Sequence, residues 1–433
     1  MKFYLLLLLF CPLLIFSQIQ IGQDIDGEAV NDESGWPVNI SNDGSVVAIG
    51  ARYNDANGAD SGHVRMYENQ SGTWTQIGQD LNGEAAGDLS GQTVSLSSDG
   101  SIIAIGAVYN GGNGEKSGHV RVFENQSGTW MQLGDDIDGE AAFDESGFSV
   151  NLSSDGTIVA IGVARNDGSA VDAGHTRIYE NQSGTWTQIG DDIDGEAMSD
   201  SSGWDVSLSS DGTVVAIGSV GNDDNGTNSG HVRVFENQSG TWTQIGQNIN
   251  GEAANDASGF TVNLSSDASI VAISAIFNDD GGFNSGHVRI YENQSGVWTQ
   301  IGNDINGEAV GDQSGQAVSL SGDGTTIIIG SLVNEGNGAS SGHARVYDLS
   351  ALLSVEEYNQ LSFELFPNPT KNQFTIQLEN GQELEQVKIY NNLGQLVKTV
   401  QTKIIKTSNF ATGLYFVEVI TNQGKVTKKL VIK

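Results

Sequence analysis

The chain has 433 residues, with 54 acidic residues against 19 basic ones and a formal net charge of −35. This balance argues against a nucleic-acid-binding protein and against docking on an anionic membrane, because both need a basic surface. The 57 glycines follow no three-residue period, which excludes collagen, and the 37% of hydrophobic residues fall in short alternating runs that favour an all-β chain.

The first 17 residues are predicted to be a secretory signal peptide. Lys2 supplies a positive charge, residues 3–16 form an apolar stretch, and Ser17 is a small residue suited to cleavage. The stretch is shorter than the roughly 20 residues of a membrane-spanning helix. A lipoprotein signal at Cys11, the one cysteine of the chain, is the disfavoured alternative because a bulky residue precedes it. The mature chain would then hold no disulfide.

Residues 18–349 are predicted to contain one unit of 56 residues repeated six times. The six histidines of the chain recur at that interval, and each is followed two positions later by an arginine. A residue that recurs in every unit is expected to serve the fold, so the histidines are interpreted as structural: His63, His119, His175, His231, His287 and His343.

Each unit is predicted to form four antiparallel strands without a helix. In one unit, short apolar or alternating runs are separated by a long acidic loop, a Ser-Asp-Gly hairpin and a loop rich in Asn and Gly; the predicted strands are 74–77, 93–96, 102–105 and 119–123. Four antiparallel strands per repeat are typical of a β-propeller blade. The sequence therefore predicts a six-bladed β-propeller followed by a small β-sandwich.

The two ends of the array are predicted to close the ring. Residues 18–24 align with residues 74–80, and the last unit ends at residues 343–347 without its own outer strand. The mature amino terminus would then supply the outer strand of the last blade and remove the exposed edges. The alternative is an open solenoid, which would need polar capping repeats.

The units resemble FG-GAP repeats, the blades of integrin-type propellers. The resemblance rests on Ser-Gly-Phe-Ser-Val at residues 146–150 and on Ala-Ile-Gly-Ala at residues 104–107, and it covers residues 18–349. It implies a calcium loop in the hairpin between these two strands. That site is not transferred to this chain, because the hairpin keeps one carboxylate, Asp99, and calcium needs six to eight oxygen ligands.

Polar and aromatic side chains recur at the same position of successive repeats, and this recurrence predicts packing roles for them. Period two places His119, Arg121 and Phe123 on one side of their strand, where His and Arg are expected to form hydrogen bonds between blades. The tryptophans of the outer strands, such as Trp74, are expected to anchor neighbouring blades. No catalytic constellation is predicted, and the chain is expected not to be an enzyme.

The long acidic loops are the predicted functional feature. Alternate connections between antiparallel strands fall on one face, so these loops share a face with the loops that precede the histidines. Two interpretations stay open: solvated turns rich in Asp and Asn, or oxygen ligands for calcium. The candidate metal ligands are Asp24, Asp26, Glu28, Asp32, Asp136, Asp138, Glu140, Asp144, Asp192, Asp194, Glu196 and Asp200.

The last part of the chain differs in composition from the repeats. A linker is predicted at residues 350–362, and residues 363–433 alternate in short runs typical of a small antiparallel sandwich. This region resembles the C-terminal sorting domain of the bacterial type IX secretion system. The resemblance is carried by Pro367, Asn368, Pro369, Gly394, Gly413 and Lys433.

These features predict a secreted or surface-attached binding or adhesion module of a Gram-negative bacterium. The resemblance implies the type IX export machinery as one partner, and the acidic loops suggest an extracellular glycan or protein as another. A polysaccharide-degrading enzyme is one alternative, for which only scattered residues break the repeat pattern: Arg52, Arg165 and Trp204. A passive surface-layer component is the other.

Overall fold

The computed structural model describes residues 20–336, 338–353, 363–378, 383–422 and 424–433. The predicted signal peptide at residues 1–17 and the linker from residue 354 onward lie outside this range. The chain divides into two compact units, one that ends at Ser350 and one that begins at Ala351. Each is described by itself.

The first unit consists of six antiparallel sheets, here called blades 1 to 6, with one blade per repeat. Blade 1 comprises β1 (Val38–Ile40), β2 (Val46–Ala51), β3 (His63–Asn69), β4 (Trp74–Gln76) and β5 (Leu81–Asn82). Blade 2 comprises β6 (Ser90–Leu96), β7 (Ile102–Ala107), β8 (His119–Asn125), β9 (Trp130–Gln132) and β10 (Ile137–Asp138). Blade 3 comprises β11 (Ser149–Leu152), β12 (Ile158–Val163), β13 (His175–Asn181), β14 (Trp186–Gln188) and β15 (Ile193–Asp194).

The remaining blades repeat this order. Blade 4 comprises β16 (Ser202–Leu208), β17 (Val214–Ser219), β18 (His231–Asn237), β19 (Trp242–Gln244) and β20 (Ile249–Asn250). Blade 5 comprises β21 (Ser258–Leu264), β22 (Ile270–Ala275), β23 (His287–Asn293), β24 (Trp298–Gln300) and β25 (Ile305–Asn306). Blade 6 comprises β26 (Ala317–Leu320), β27 (Thr326–Ser331) and β28 (His343–Asp348), followed by the short helix α1 (Ser350–Leu353).

In blades 1 to 5 the second strand is an apolar run that is almost completely buried between the first and third strands, whereas in blade 6 it alternates between exposed and buried residues. In blade 2, the apolar run of β7 is almost completely buried, and its register pairs Ile105 with Val94 on one side and with Arg121 on the other. Gly106 leaves room for the next blade, since a Cβ there would clash with the carbonyl oxygen of Gly147. The close stacking of blades therefore depends on small residues in the second strand.

The blades surround a common centre. One cavity is lined by equivalent residues of all six first strands, from Ile40 in blade 1 to Leu320 in blade 6. Around it, backbone hydrogen bonds join neighbouring hairpins; for example, Ser98 N donates to Ser154 O and Ser154 N donates to Ser210 O, both at 2.8 Å. This arrangement confirms the all-β, six-bladed propeller architecture, and it is not a linear solenoid.

The predicted blade pattern is present with one addition and one correction. The first five blades hold the four predicted antiparallel strands, and the start of each long loop adds a fifth, short strand beside the third one. The sixth blade holds three strands in the described part of the chain, so the predicted closing strand is not found there. The amino-terminal segment contacts blade 1 instead, where the indole Nε1 of Trp74 donates to Ile21 O at 2.8 Å.

Because no strand joins blade 6 to blade 1 in the described residues, one side of each of these two blades is exposed. Val38 in the first strand of blade 1 is 63% exposed, whereas its equivalent Val94 in blade 2 is 8% exposed. At the other end, Val346 in blade 6 is 65% exposed and its equivalent Val122 is 1% exposed. Each inner blade is covered by a neighbour on both sides, and the first and last blades are covered on one side only.

The second unit is a β-sandwich, as predicted. One sheet has the order β29 (Phe363–Phe366), β30 (Gln373–Leu378) and β33 (Ile404–Lys406). The other has the order β32 (Leu396–Val400), β31 (Leu384–Asn391), β34 (Gly413–Thr421) and β35 (Gly424–Ile432). Buried apolar residues of both sheets form one core, including Phe363, Phe374, Val387 and Val417. Within the described residues, no helix is long and apolar enough to cross a membrane.

Candidate functional site

The functional candidates lie on the face of the first unit that carries the long loops, here called the loop face. Two kinds of connection meet there: the long acidic loop that leads from one blade to the next, and the loop that precedes the third strand. The opposite face carries the two short turns of each blade and is here called the hairpin face. Because the third strand begins at the loop face, each repeated histidine lies at that end of its blade.

The structure brings each histidine together with carboxylates from separate loops. In blades 1 to 3, the groups whose oxygen and nitrogen atoms lie within 4.8 Å of one another are Glu28, His63 and Asp80; Glu84, His119 and Asp136; and Glu140, His175 and Asp192. In blade 4 the group is Glu196, Asp224 and His231, and in blade 5 it is Glu252, Asp280, His287 and Asp304.

Within these groups, the histidine points at the carboxylates without bonding to them. The Nδ1 atom lies between 3.5 Å (His175 to Asp192) and 3.9 Å (His63 to Glu28) from the nearest carboxylate oxygen. The ring nitrogens of four of these residues have no hydrogen-bond partner among the described residues: His63, His119, His231 and His287. The expected hydrogen bonds of the histidines between blades are therefore not found.

The repeated arginines do bond between blades, as predicted. The guanidinium Nη2 of Arg121 in blade 2 donates to the backbone oxygen of Asn82, which lies on blade 1, at 2.6 Å. Nη1 of the same arginine lies 3.7 Å from Glu84 Oε1. The arginine therefore helps to hold the glutamate that faces the histidine.

Burial sets the protonation state of the histidines. Desolvation is the main cause that lowers the pKa of His119, His175, His231 and His287 to about 4. These imidazoles are neutral at pH 7. Desolvation also raises the pKa of the facing Glu84, Glu140 and Glu252, although an arginine lowers it in each case. The groups thus combine a neutral imidazole with carboxylates that lack a full set of donors.

The predicted metal ligands separate into different environments. Glu28, Asp136, Glu140, Asp192 and Glu196 join the histidine groups. Asp32, Asp144 and Asp200 are buried. Asp144 and Asp200 brace their own loops, as when Ala141 N donates to Asp144 Oδ2 at 2.9 Å, and Asp32 accepts from the side chain of Asn54 in another loop. Asp24 accepts from the side chain of Gln20, and the backbone oxygens of Asp26, Asp138 and Asp194 accept from arginines. The four acids of one loop therefore do not converge on one point.

The hairpin aspartates are structural. Asp99 Oδ1 accepts from Ser97 Oγ at 2.8 Å and from Ser101 N and Oγ at 2.9 and 2.7 Å. This pattern explains why the hairpin keeps serine or threonine on both sides of its aspartate, and it leaves that oxygen with no need of a cation.

A row of aromatic rings on the loop face was missed by the sequence reasoning. Trp204 lies between Phe148, at 4.9 Å between ring centroids, and Phe260, at 5.7 Å. All three are half-buried and occupy the same repeat position at the loop end of the innermost strands. The signal available in the sequence was the recurrence of an aromatic residue directly after Ser-Gly in adjacent repeats.

The other pattern-breaking residues do not join that row. Arg52 pairs with Glu33 at 2.9 Å and lies over the rings of Trp36 and Tyr53. Arg165 pairs with Glu145, also at 2.9 Å.

In the second unit, the predicted sorting residues other than Gly394 lie on or beside β35. The side chain of Asn368 donates to Lys429 O and accepts from Val431 N, so the segment that holds Pro367 and Pro369 lies along β35. Lys433 N donates to Thr370 O at 2.8 Å. Gly394 lies in the turn after β31, and Gly413 begins β34.

Two segments match known protein families. Residues 364–433 match the secretion system C-terminal sorting domain, and residues 193–235 match the FG-GAP repeat. Both matches confirm the resemblances found in the sequence. The sorting domain indicates export by the type IX machinery to the outer cell surface or beyond.

One curated protein is similar to a short part of the chain. Ulvan lyase NLR42 from Nonlabens ulvanivorans is 38% identical over 89 residues, which are 19% of this chain and 16% of that protein. The chain therefore matches about one-sixth of the length of this curated relative.

Two solved structures are similar at lower identity. A protein described as a 6-phosphogluconolactonase from Bacteroides uniformis has a TM-score of 0.46 and 13% identity, covering 84% of this chain and 99% of its own. The β-propeller domain of Cps50 (Swd1) from Myceliophteria thermophila has a TM-score of 0.42 and 9% identity, covering 92% and 96%.

Proposed function

We propose that the exported chain is a saccharide-binding module whose loop face forms the binding surface. The observation that carries the proposal is the aromatic row of Phe148, Trp204 and Phe260 at the centre of that face. Half-buried aromatic rings held by their neighbours offer an apolar surface at little entropic cost, and sugar rings present matching apolar faces. The surrounding carboxylates and amides can bind hydroxyl groups.

The charge of the repeats narrows the class of saccharide. The acidic residues of the first unit would repel an anionic polysaccharide, and this repulsion is strongest at low ionic strength. We therefore expect neutral and cationic glycans to bind more tightly than anionic ones under those conditions. The export signal agrees with this function, because it delivers the loop face to the medium in which such glycans occur.

A glycan array followed by calorimetry on the glycans that bind would test the proposal. We expect saturable binding without release of products, and at least a tenfold weaker affinity for Trp204→Ala. Phe143→Ala is the matched control, since Phe143 is an aromatic residue of a long loop that is 54% exposed and is not part of the row. Equal binding by wild type and Trp204→Ala, or no glycan bound at all, would contradict the proposal.

Polysaccharide degradation is a second candidate function, favoured by the match to an ulvan lyase. Asp205, next to Trp204, would be the residue to test, because desolvation raises its pKa to about 7 and the carboxyl can exchange a proton near neutral pH. Product release by the wild type and its loss in Asp205→Asn would support this activity. Binding without products would exclude it for the glycans tested.

A further inference from the structure

We propose that Glu252, Asp280, His287 and Asp304 on the loop face bind a divalent transition-metal ion of the zinc type. This site is independent of saccharide binding. It is the fullest of the histidine groups, because it has one imidazole nitrogen and three carboxylates within 4.8 Å of one another. One imidazole with three carboxylates completes a four-coordinate zinc shell.

The strongest sign of a missing ligand is the imidazole itself. His287 is 0% exposed, and neither ring nitrogen has a hydrogen-bond partner among the described residues. Its Nδ1 faces Glu252 Oε2 at 3.7 Å, which is too long for a hydrogen bond. With metal–ligand bonds of about 2.1 Å, one ion between the two atoms would bind both at an angle of about 125°.

The carboxylates are already oriented by a second layer of contacts. Arg289 Nη1 lies 3.7 Å from Glu252 Oε1, which leaves Oε2 directed at the imidazole. Gln300 Nε2 donates to Asp304 Oδ1 at 2.6 Å. Such contacts fix the orientation of ligands before an ion binds and raise affinity.

The choice of ion follows from the donor set. Calcium takes six to eight oxygen ligands and rarely an imidazole, whereas zinc and its neighbours in the first transition series bind imidazole and carboxylate together. The mixed group around His287 therefore favours zinc over the calcium suggested by the acidic loops.

Blade 4 provides an internal control for this inference. There the position of Asp304 is taken by Asn248, and its amide Nδ2 donates to Glu196 Oε2 at 3.0 Å and to Asp224 Oδ2 at 3.3 Å. The amide thus occupies the space between the carboxylates and supplies positive dipoles without an ion. Blades 4 and 5 differ at the site mainly by this one exchange of amide for carboxylate.

A reciprocal swap tests the proposal. The chelator-stripped, secreted full-length chain is titrated with ZnCl₂ by calorimetry, and bound zinc is counted by elemental analysis after gel filtration. We expect Asp304→Asn to weaken the tightest zinc site at least tenfold and to lose one zinc per chain. We expect Asn248→Asp to gain one zinc. Asp224→Asn, the matched control, removes one carboxylate from the blade 4 group and should leave the tight site unchanged.

A second measurement reports on the imidazole. Cobalt(II) in place of zinc should give the intense visible absorption of a near-tetrahedral ion, and that absorption should fall in Asp304→Asn and in His287→Gln. Asp304→Asn keeps the measurement valid if His287→Gln does not fold, because asparagine occurs naturally at the equivalent position of blade 4.

Three results would overturn the site. One is the absence of saturable zinc binding by the wild type. Another is an equal loss of zinc in Asp304→Asn and Asp224→Asn, which would indicate unspecific attraction by acidic loops. The third is calcium binding at the same stoichiometry and with at least equal affinity.

Discussion

The two faces of the first unit place the same chemical group in opposite environments. On the hairpin face, side-chain and backbone hydrogen bonds from Ser101 lower the pKa of Asp99. On the loop face, desolvation raises the pKa of Glu252, although Arg289 lies nearby. The difference is the supply of donors: Asp99 receives three hydrogen bonds at one oxygen, and Glu252 faces an imidazole that does not bond to it. The hairpin aspartates are therefore held by hydrogen bonds, whereas the loop-face glutamates that face the histidines keep an oxygen without such donors.

A buried loop carboxylate should show the largest effect on stability. Asp144 is 3% exposed and accepts from Ala141 N and from the side chain of Asn166. Asp144→Ala would leave the side-chain amide of the buried Asn166 without its acceptor and would also remove the acceptor of Ala141 N, and we expect a loss of about 2–3 kcal/mol in the free energy of unfolding. Urea unfolding measures it. Asp135→Ala, which removes an exposed charge from the same loop, is the control and should cost less than about 0.5 kcal/mol. Equal losses would mean that net charge, rather than these bonds, decides stability.

Replacing Asp205 should raise the stability of the protein at neutral pH, whereas replacing Asp144 should lower it. Desolvation raises its pKa to about 7, so the native state holds this proton more tightly than the unfolded state, and stability falls as pH rises from about 4 to 7. Asn keeps an acceptor for Val262 N, which donates to the carboxylate at 2.8 Å. We expect Asp205→Asn to gain about 1–2 kcal/mol at pH 8, less than the full shift implies because the side chain keeps some contact with solvent. The gain should vanish at pH 4; a gain independent of pH would contradict this reasoning.

The strands of the repeats can be predicted from local sequence patterns. Contacts between side chains of different loops cannot, because they depend on the path of each loop. Alternation and turn residues indicate the strands because they act within a few positions, as in the run of β7. The group around His287 could not be assembled in advance, because Glu252 and Asp304 lie 35 residues before it and 17 residues after it. Their meeting depends on the path of two loops. The closing strand is predicted only from the match between residues 18–24 and residues 74–80. That match does not show whether the two end blades pack together, and the exposure of Val38 and Val346 shows that a face of each end blade is uncovered.

The hairpin aspartates should contribute less than the buried loop ones. Asp99→Ala removes three hydrogen bonds from an exposed turn, and we expect a loss of about 1 kcal/mol at pH 7, since water replaces part of what is lost. Asp99→Asn retains an acceptor oxygen for Ser101 N and should lose about half as much. Thermal and urea unfolding of the three proteins would measure the order. A loss in Asp99→Ala as large as that in Asp144→Ala would contradict the contrast between exposed and buried carboxylates.

The smallest effect should be the pH dependence of that same hairpin. Hydrogen bonds from Ser101 lower the pKa of Asp99, so the ionised carboxylate stabilises the native state above its unfolded pKa of about 3.9, and this contribution is lost as pH falls through the lower, native value. The difference in unfolding free energy between wild type and Asp99→Ala should therefore be constant from pH 7 to 5 and shrink below pH 4. Asp99→Asn has no titrating group at this position, so the difference in unfolding free energy between Asp99→Asn and Asp99→Ala should not change with pH. A wild-type advantage that persists undiminished at pH 2 would show that the hairpin does not depend on the charge of its aspartate.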